Sequence, residues 1–197
     1  MSSKRIVRRG KGRRVYQGQH RREHWYIDNQ VYFITARCRD KFPAFESDRA
    51  KAVFWDRFEH YSAEYGFSPW VTSLLNNHYH TLGYLKVGQD LGPMMQRVHG
   101  SVAKLVNDAL EDEGLGRRQR FWKDSNRKDY FDGAIRDEKQ ARLAYRYTLK
   151  QGERHGVVGV DEVYTHTRVV VGLEAAVKRS RELGAFLVGV GYRRYRK

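Results

Sequence analysis

The sequence predicts an α+β protein of the ferredoxin-like class, in which an antiparallel sheet carries two helices on one face and an extra helix follows. The first observation is the order of the hydrophobic patterns, β-α-β-β-α-β and then a further helix, without an internal repeat. The second is size, because 197 residues with 40% hydrophobic content are enough for one core. The third is the lone cysteine, which excludes a disulfide framework and a multi-cysteine zinc site.

A strand and a helix open this order. β-branched and aromatic residues are frequent in Trp25–Cys38 and predict a strand over Val31–Arg37. Ser47 is suited to cap a helix that ends near Gly66. Aromatic residues recur along this helix at helical spacing and predict one buried stripe: Phe54, Phe58, Tyr61 and Tyr65.

A hairpin is predicted next. Trp70–Leu75 and His78–Leu85 have the composition of two neighbouring strands. Asn76 and Asn77 join them, and asparagine tolerates the left-handed backbone of a tight turn. We therefore expect an antiparallel pair at this point of the sheet.

The remaining elements complete the order. A second helix is predicted over residues 90–113, a fourth strand around Phe121 and a third helix over residues 137–155. A short strand near residues 168–171 and a helix near residues 174–183 follow. The apolar side of the second helix is expected to consist of Leu91, Met95, Val98, Val102, Leu105 and Ala109.

The net charge of +15 is concentrated at the two ends of the chain. Nine Lys and Arg and no acidic residue lie in residues 1–22, and four more lie in residues 193–197, so that residues 23–192 carry only +2. We therefore divide the chain into a basic arm (1–22), a globular domain (23–158) and a C-terminal extension with a basic tail (159–197). Basic arms bind phosphates without reading sequence, which predicts a nucleic-acid partner.

The hydropathy pattern gives no sign of a membrane protein. No apolar run approaches the roughly 20 residues that cross a bilayer, and the first residues lack the apolar stretch of a signal peptide. We expect a protein of the cytoplasm without a membrane partner.

Two histidines stand two residues apart in the second strand of the hairpin. Side chains at this spacing leave the same face, so His78 and His80 can converge on one cation while Tyr79 points into the opposite layer. Such a pair on its own is more often packed or exposed than metal-bound, and two ligands are too few for an ion. A third ligand must come from elsewhere in the chain.

The third predicted helix, over residues 137–155, carries a tyrosine suited to phosphate chemistry. Tyr147 and Gln151 are four residues apart and share one helical face, whereas Tyr145 points to the packing side. A tyrosine can attack a phosphodiester and form a covalent phosphotyrosine, although its ordinary pKa near 10 means that the phenol needs help to lose its proton. The helical face of Tyr147 also takes in Gln140, Ala144 and Arg154.

The histidine pair, followed about seventy residues later by Tyr-x-x-x-Gln, resembles the HUH-type single-tyrosine transposases. The likeness is greatest to the branch called REP-associated tyrosine transposases (RAYTs), and it is collinear over most of the globular part. The blocks that carry it are YFITARC, YGFSPWVTSLLNNHYHTLGYL, RFWKDSNRKDYFDGAIRDE and AYRYTLKQGERHGVV. This chain has Gly152 where RAYTs often carry proline, which should loosen the end of the helix.

The resemblance implies a site and a reaction. His78, His80 and Gln151 would be ligands of Mg²⁺ or Mn²⁺, and Tyr147 would be the nucleophile. The reaction would be cleavage of single-stranded DNA near a hairpin, which leaves a 5′-phosphotyrosine and a free 3′-hydroxyl, and then resealing to another end. The resemblance places such a protein at the nucleoid and leaves open whether it acts as a homodimer.

Basic residues inside the globular part are predicted to hold the DNA backbone next to the metal site. The densest group surrounds Phe121 and Trp122, and for this group a solvated loop is the alternative interpretation. The predicted DNA contacts are Arg117, Arg118, Arg120, Lys123, Arg127, Lys150 and Arg154.

Three alternatives to a transposase are considered. A domesticated DNA-binding protein would keep the fold without transposition, but its catalytic residues should drift, and here they are present. A plasmid relaxase or replication initiator shares the histidine chemistry but usually places its tyrosine differently or has a longer chain. An RNA-binding ferredoxin-like module would carry a Lys/Arg-Gly-Phe-type box on a central strand, and the sequence contains none.

Overall fold

The computed structural model describes residues 7–9, 25–123 and 129–186. Its strands are β1 (Val7–Arg9), β2 (Trp25–Ile27), β3 (Gln30–Arg37), β4 (Phe67–Leu75), β5 (His78–Leu85), β6 (Phe131–Ala134) and β7 (Thr167–Val169). Its helices are α1 (Asp48–Glu64), α2 (Leu91–Asp112), α3 (Glu138–Leu149), α4 (Gln151–Arg154) and α5 (Leu173–Glu182). Arg127, one of the predicted DNA contacts, lies outside the described residues.

Five strands form one antiparallel sheet in the order β6-β3-β5-β4-β7, and β1 pairs with β2 apart from it. The helices that connect these strands confirm the predicted α+β class and its β-α-β-β-α-β order. The strand and the helix predicted beyond residue 158 are also present. β7 pairs with β4 at one edge of the sheet, and α5 packs against α3.

The fourth strand is not where the sequence predicts it. β6 pairs with β3, whereas the segment around Phe121 contributes, in the described part of the chain, a single bridge between Trp122 and Cys38. The reason is packing, because Phe121 and Trp122 are both buried with their ring centroids 5.8 Å from that of Phe45. The apolar residues of this segment therefore extend the core and do not form one face of a strand.

The β4–β5 turn lies at Asn76 and Asn77 as predicted, but its backbone differs. Neither asparagine has a positive φ, so the expected left-handed conformation is wrong. The two residues instead supply hydrogen-bond partners. The Asn76 carbonyl accepts from the Phe45 N–H at 2.8 Å, and the Asn77 side chain donates to the Lys41 carbonyl at 3.0 Å.

The sheet has a helical layer on each face. Tyr32 and Ile34 of β3 point into the core beneath α1 and α2, where they join Phe54. Val31, one residue before Tyr32, points the other way and joins Tyr145 of α3. The first two helices therefore share one face, as predicted, and α3 and α5 cover the opposite face.

The boundaries of the first two helices follow the sequence closely. The Ser47 side chain caps α1 by accepting from the Ala50 N–H at 3.2 Å. In α2 the predicted apolar stripe is correct except at Leu105, which is 37% exposed, because Val106 takes the buried position. Within the described residues, every helix is too short or too polar to span a lipid bilayer.

Candidate active site

β5 presents His78 and His80 on the sheet face that α3 covers. This strand is the central one, with β3 and β4 as its neighbours, and both imidazoles are buried, at 3% and 6% exposure. Tyr79 points into the opposite layer as predicted, where its hydroxyl lies 2.9 Å from His99 Nε2. The two-residue spacing therefore places both imidazoles together beneath α3.

Tyr147 and Gln151 lie on two helices and not on one. The sequence predicts a continuous helix over residues 137–155, but the structure interrupts this helix at Lys150. α3 ends at Leu149, and Lys150, at φ −91° and ψ 20°, separates it from α4. The Gln151 side chain still donates to the Tyr147 carbonyl at 2.8 Å, so the two predicted site residues remain adjacent.

Gly152 follows this break by two residues. Glycine is a poor helix former, and this one packs so closely that an added Cβ would lie 2.5 Å from the Cβ of Tyr164. In α4, Gly152 lies against Tyr164 and Gln151 is fully buried. The sequence-based expectation that Gly152 loosens the helix end remains a prediction, because the residue is packed closely within α4.

The Tyr147 ring lies directly beside the histidines. Its centroid is 5.2 Å from that of His80 with the rings perpendicular, and the centroids of His80 and His78 are 5.1 Å apart. Tyr147 is 39% exposed, so substrate can reach it. Tyr145 is 4% exposed and donates to the Val171 carbonyl at 3.2 Å, which confirms its predicted packing role.

Polar atoms without partners converge from three of these side chains. Five buried side-chain polar atoms in the described part of the chain lack a hydrogen-bond partner, and three of them are His78 Nε2, His80 Nδ1 and Gln151 Oε1. His78 Nδ1 lies 2.6 Å from Asn77 Oδ1, an acceptor, so Nδ1 carries the proton and Nε2 the lone pair. A buried polar atom without a partner costs on the order of 1–3 kcal/mol. A cation bound between these side chains would give all three atoms a partner.

Both imidazoles are neutral at physiological pH. Burial lowers the pKa of His78 to about 4, and the nearby charges of His155 and Arg37 lower it further. Burial also lowers the pKa of His80 to about 3, with contributions from the charges of His78, His155, Arg37 and Arg154. A neutral imidazole offers the lone pair that a metal ion requires.

The three side chains fit a divalent cation. Two imidazole nitrogens and one amide oxygen form a donor set that first-row divalent ions accept, with room for water or phosphate oxygens in the remaining positions. No group of three or more His, Cys, Asp or Glu within the described ranges is placed to hold a metal ion. His78, His80 and Gln151 are the residues that would hold it.

Two of the predicted DNA contacts lie beside Tyr147. Lys150 and Arg154 border the same cavity as its ring, and the Arg154 guanidinium lies 4.7 Å from the ring centroid. Lys150 also pairs with Glu153 at 3.1 Å and with Asp161 at 3.5 Å. Both cations therefore lie at the edge of the cavity that the Tyr147 ring also lines.

The other predicted DNA contacts are separated from the site. Arg117 and Arg118 border a second cavity, of about 490 Å³, on the face of the sheet that carries α2. Arg117 pairs with Asp108 and Glu111, and Arg118 lies 3.6 Å from the Phe42 ring centroid. The prediction that the basic group around Phe121 and Trp122 lies next to the histidines is therefore wrong for Arg117 and Arg118, which lie on the opposite face of the sheet. Arg120 and Lys123 are exposed.

A solved structure shares this architecture. The chain is similar to a REP-associated tyrosine transposase bound to a REP hairpin, with a TM-score of 0.54 and 17% identity over 72% of this chain and 76% of that one. The fold is that of a tyrosine transposase. A candidate transposase from Deinococcus radiodurans R1 is also similar, with a TM-score of 0.44 and 14% identity over 70% of this chain and 94% of that one. No protein-family model and no curated protein matches the sequence.

Two residues of this transposase fold were missed by the sequence analysis. His155 lies 4.8 Å from His78 between ring centroids, and Phe33 is stacked on His80 at 5.7 Å. His155 is four residues after Gln151, so the helical spacing that linked Tyr147 to Gln151 could have indicated it. Strand alternation could have placed Phe33 on one face of β3, but its contact with His80 depends on the pairing of β3 with β5, which sets Thr35 opposite His80 and Phe33 two residues along from it.

Proposed function

We propose that this protein is a metal-dependent single-stranded DNA endonuclease and strand transferase that acts near DNA hairpins through a 5′-phosphotyrosine intermediate. One observation carries the proposal: the Tyr147 ring contacts His80 perpendicularly, beside three buried polar atoms without a hydrogen-bond partner, His78 Nε2, His80 Nδ1 and Gln151 Oε1. A partly exposed phenol next to a cation site is the arrangement that nucleophilic attack on a phosphodiester requires.

Tyr147 performs the covalent chemistry. Its phenol loses a proton, its oxygen bonds to the scissile phosphorus, and the bond from phosphorus to the 3′-oxygen breaks. The 3′-oxygen leaves with the bonding electrons and takes up a proton, which gives a free 3′-hydroxyl. A cation held by His78, His80 and Gln151 would supply positive charge to the phosphate oxygens. Reversal by another 3′-hydroxyl restores the phosphodiester without ATP, because the phosphotyrosine bond conserves the energy.

The substrate class rests on charge and on the structural neighbour. The net charge of +15, concentrated in the arms, favours a polyanion. The similar transposase was solved with a REP hairpin. Together they support a hairpin-forming single strand as the substrate, with Lys150 and Arg154 at the phosphate next to Tyr147.

The test is covalent trapping on DNA. The protein is incubated with labelled single-stranded hairpin oligonucleotides and Mg²⁺ or Mn²⁺ and then run on a denaturing gel. We expect a protein–DNA adduct that is absent in Tyr147→Phe and after addition of EDTA. Tyr145→Phe is the matched control, because it removes a hydroxyl two residues away that serves packing, and it should keep the adduct.

Two outcomes would contradict the proposal. An adduct that persists in Tyr147→Phe would show that another residue is the nucleophile. Hairpin binding without an adduct on any oligonucleotide tested would favour a DNA-binding protein without transposition activity.

A further inference from the structure

A second feature of the Tyr147 face is a cavity of about 600 Å³ that the cation site does not use. Its floor includes the half-buried ring of Phe33 from β3, and its wall includes Leu143 and Ala144 from α3. Leu143 is 59% exposed and borders the cavity together with the exposed part of Tyr147. The cavity is therefore open, largely apolar and continuous with Tyr147.

The aromatic rings of the cavity are arranged for stacking. Phe33 is parallel to His80, at 5.7 Å and 8° between the planes, and is perpendicular to Tyr147 at 6.0 Å and 83°. Two contacts therefore fix the plane of the Phe33 ring. Nucleobases stack on such fixed aromatic rings, and stacking does not depend on which base is present.

The rim of the cavity is cationic. Arg146, Lys150 and Arg154 lie on it together with one acidic residue, Glu153. Lys150 is partly neutralised by Glu153, whereas Arg154 lies over the Tyr147 ring at 4.7 Å. A nucleotide is complementary to such a cavity. Its flat base suits the apolar floor, and its anionic phosphate suits the cationic rim.

We propose that this cavity holds one unpaired nucleobase of the DNA strand, the base adjacent to the phosphate that Tyr147 attacks. Phe33 stacks with the base, Leu143 covers its edge, and Arg146 and Arg154 bind the neighbouring phosphates. The base then anchors the strand so that the scissile phosphate lies between Tyr147 and the cation site. This inference rests on the proposed function, since it names the substrate contact of the same site.

Photo-crosslinking tests where the base lies. Hairpin oligonucleotides carry 5-iododeoxyuridine at one flanking position each and are irradiated with Tyr147→Phe protein, which leaves the DNA uncleaved. We expect crosslinking to Phe33 from one position of the strand, identified by mass spectrometry of the crosslinked peptide. Crosslinks that map only outside the cavity, from every position, would overturn the proposal.

Affinity measurements test whether the base contributes to binding. With the same protein, an abasic site at the crosslinking position should weaken binding about tenfold, measured by fluorescence anisotropy. Leu143→Ala should weaken binding of the intact strand and have little further effect on the abasic strand. Leu149→Ala is the matched control, because Leu149 is an exposed leucine of the same helix at 37% and does not border the cavity.

The outcomes separate this inference from the proposed function. Equal affinity for intact and abasic strands, or equal effects of Leu143→Ala on both, would overturn the nucleobase site even where wild-type protein forms the Tyr147 adduct. Crosslinking to Phe33 without any wild-type adduct would instead support the nucleobase site and contradict the nuclease proposal.

Discussion

Asn77 determines which nitrogen of His78 carries the lone pair. Its amide donates to the Lys41 carbonyl at 3.0 Å, which leaves Oδ1 to accept from His78 Nδ1 at 2.6 Å. The lone pair of His78 is therefore on Nε2, the atom that lacks a partner among the described residues. Groups that orient a metal-binding histidine in this way set metal affinity without touching the metal.

Substitution of Asn77 tests this role. Asn77→Ala should weaken Mn²⁺ binding at least about tenfold, because the ring of His78 loses the partner that fixes its orientation and tautomer. Isothermal titration of the protein with MnCl₂ measures the change. Asn76→Ala is the control, since Asn76 is exposed and contributes its backbone carbonyl, and equal losses in both variants would contradict the assignment.

The buried histidines also predict a pH dependence of stability. Their folded-state pKa values, about 4 for His78 and about 3 for His80, lie below the unfolded value near 6.5. The unfolded chain thus binds more protons in this range, and stability is full above pH 6.5 and falls as the pH drops towards 4.

Denaturant unfolding in EDTA measures this loss. Between pH 7 and pH 5 the free energy of unfolding should fall by on the order of 2 kcal/mol for each histidine. The decrease should be smaller in His80→Gln, and an unchanged pH dependence in that variant would contradict the burial of a neutral imidazole.

At the scale of elements, the position of α3 depends on the chain that follows it. Arg142 of α3 pairs with Glu174 of α5, and Arg181 of α5 pairs with Glu138 of α3 at 2.5 Å. Exposed pairs such as these contribute about 0–1 kcal/mol each to stability. Packing of the α3 and α5 apolar faces therefore contributes most of the stabilisation between the two helices. α4 is fixed separately, by the close approach of Gly152 to Tyr164.

Alanine substitutions at two glycines test that approach. Gly152→Ala should destabilise the protein by about 1–3 kcal/mol and weaken Mn²⁺ binding, because the added Cβ displaces α4 and with it Gln151. Gly100→Ala, in α2, places its Cβ in open space and should stabilise by about 0.5–1 kcal/mol. Thermal unfolding and MnCl₂ titration measure both effects, and a neutral Gly152→Ala would contradict the tight seat of α4.

At the scale of the whole molecule, charge and chemistry are separated. Thirteen of the Lys and Arg lie in residues 1–22 and 193–197, whereas His78, His80, Tyr147 and Gln151 add nothing to the formal charge. The basic arm and tail are expected to attract DNA from a distance, and the proposed chemistry is expected only at a strand that reaches Tyr147.

Neutralising the basic tail tests whether attraction of DNA and the chemistry at Tyr147 are separate. Replacing the four cations of residues 193–197 by Gln should reduce the magnitude of the slope of log affinity against log salt concentration by about 3 for single-stranded DNA. Adduct formation at saturating DNA and low salt should be unchanged. An unaltered salt slope, or a lost adduct, would contradict the assignment of the basic tail to attraction alone.

Local periodicity determined much of this protein from the sequence. The order of strands and helices, the cap at Ser47 and the shared face of His78 and His80 follow from interactions over a few residues, which neighbouring side chains decide. The four-residue spacing of Tyr147 and Gln151 also survives in the structure. For these features the sequence was sufficient.

Contacts between distant segments decided the rest. Only packing in three dimensions places α3 on the histidine face opposite α1 and α2, and the fourth strand at β6 and not around Phe121. The close packing of Gly152 depends on Tyr164, and the cavity beside Tyr147 depends on Phe33, which strand pairing brings to His80. Local patterns do not contain this information, because each of these features results from the burial of surfaces that lie far apart along the chain.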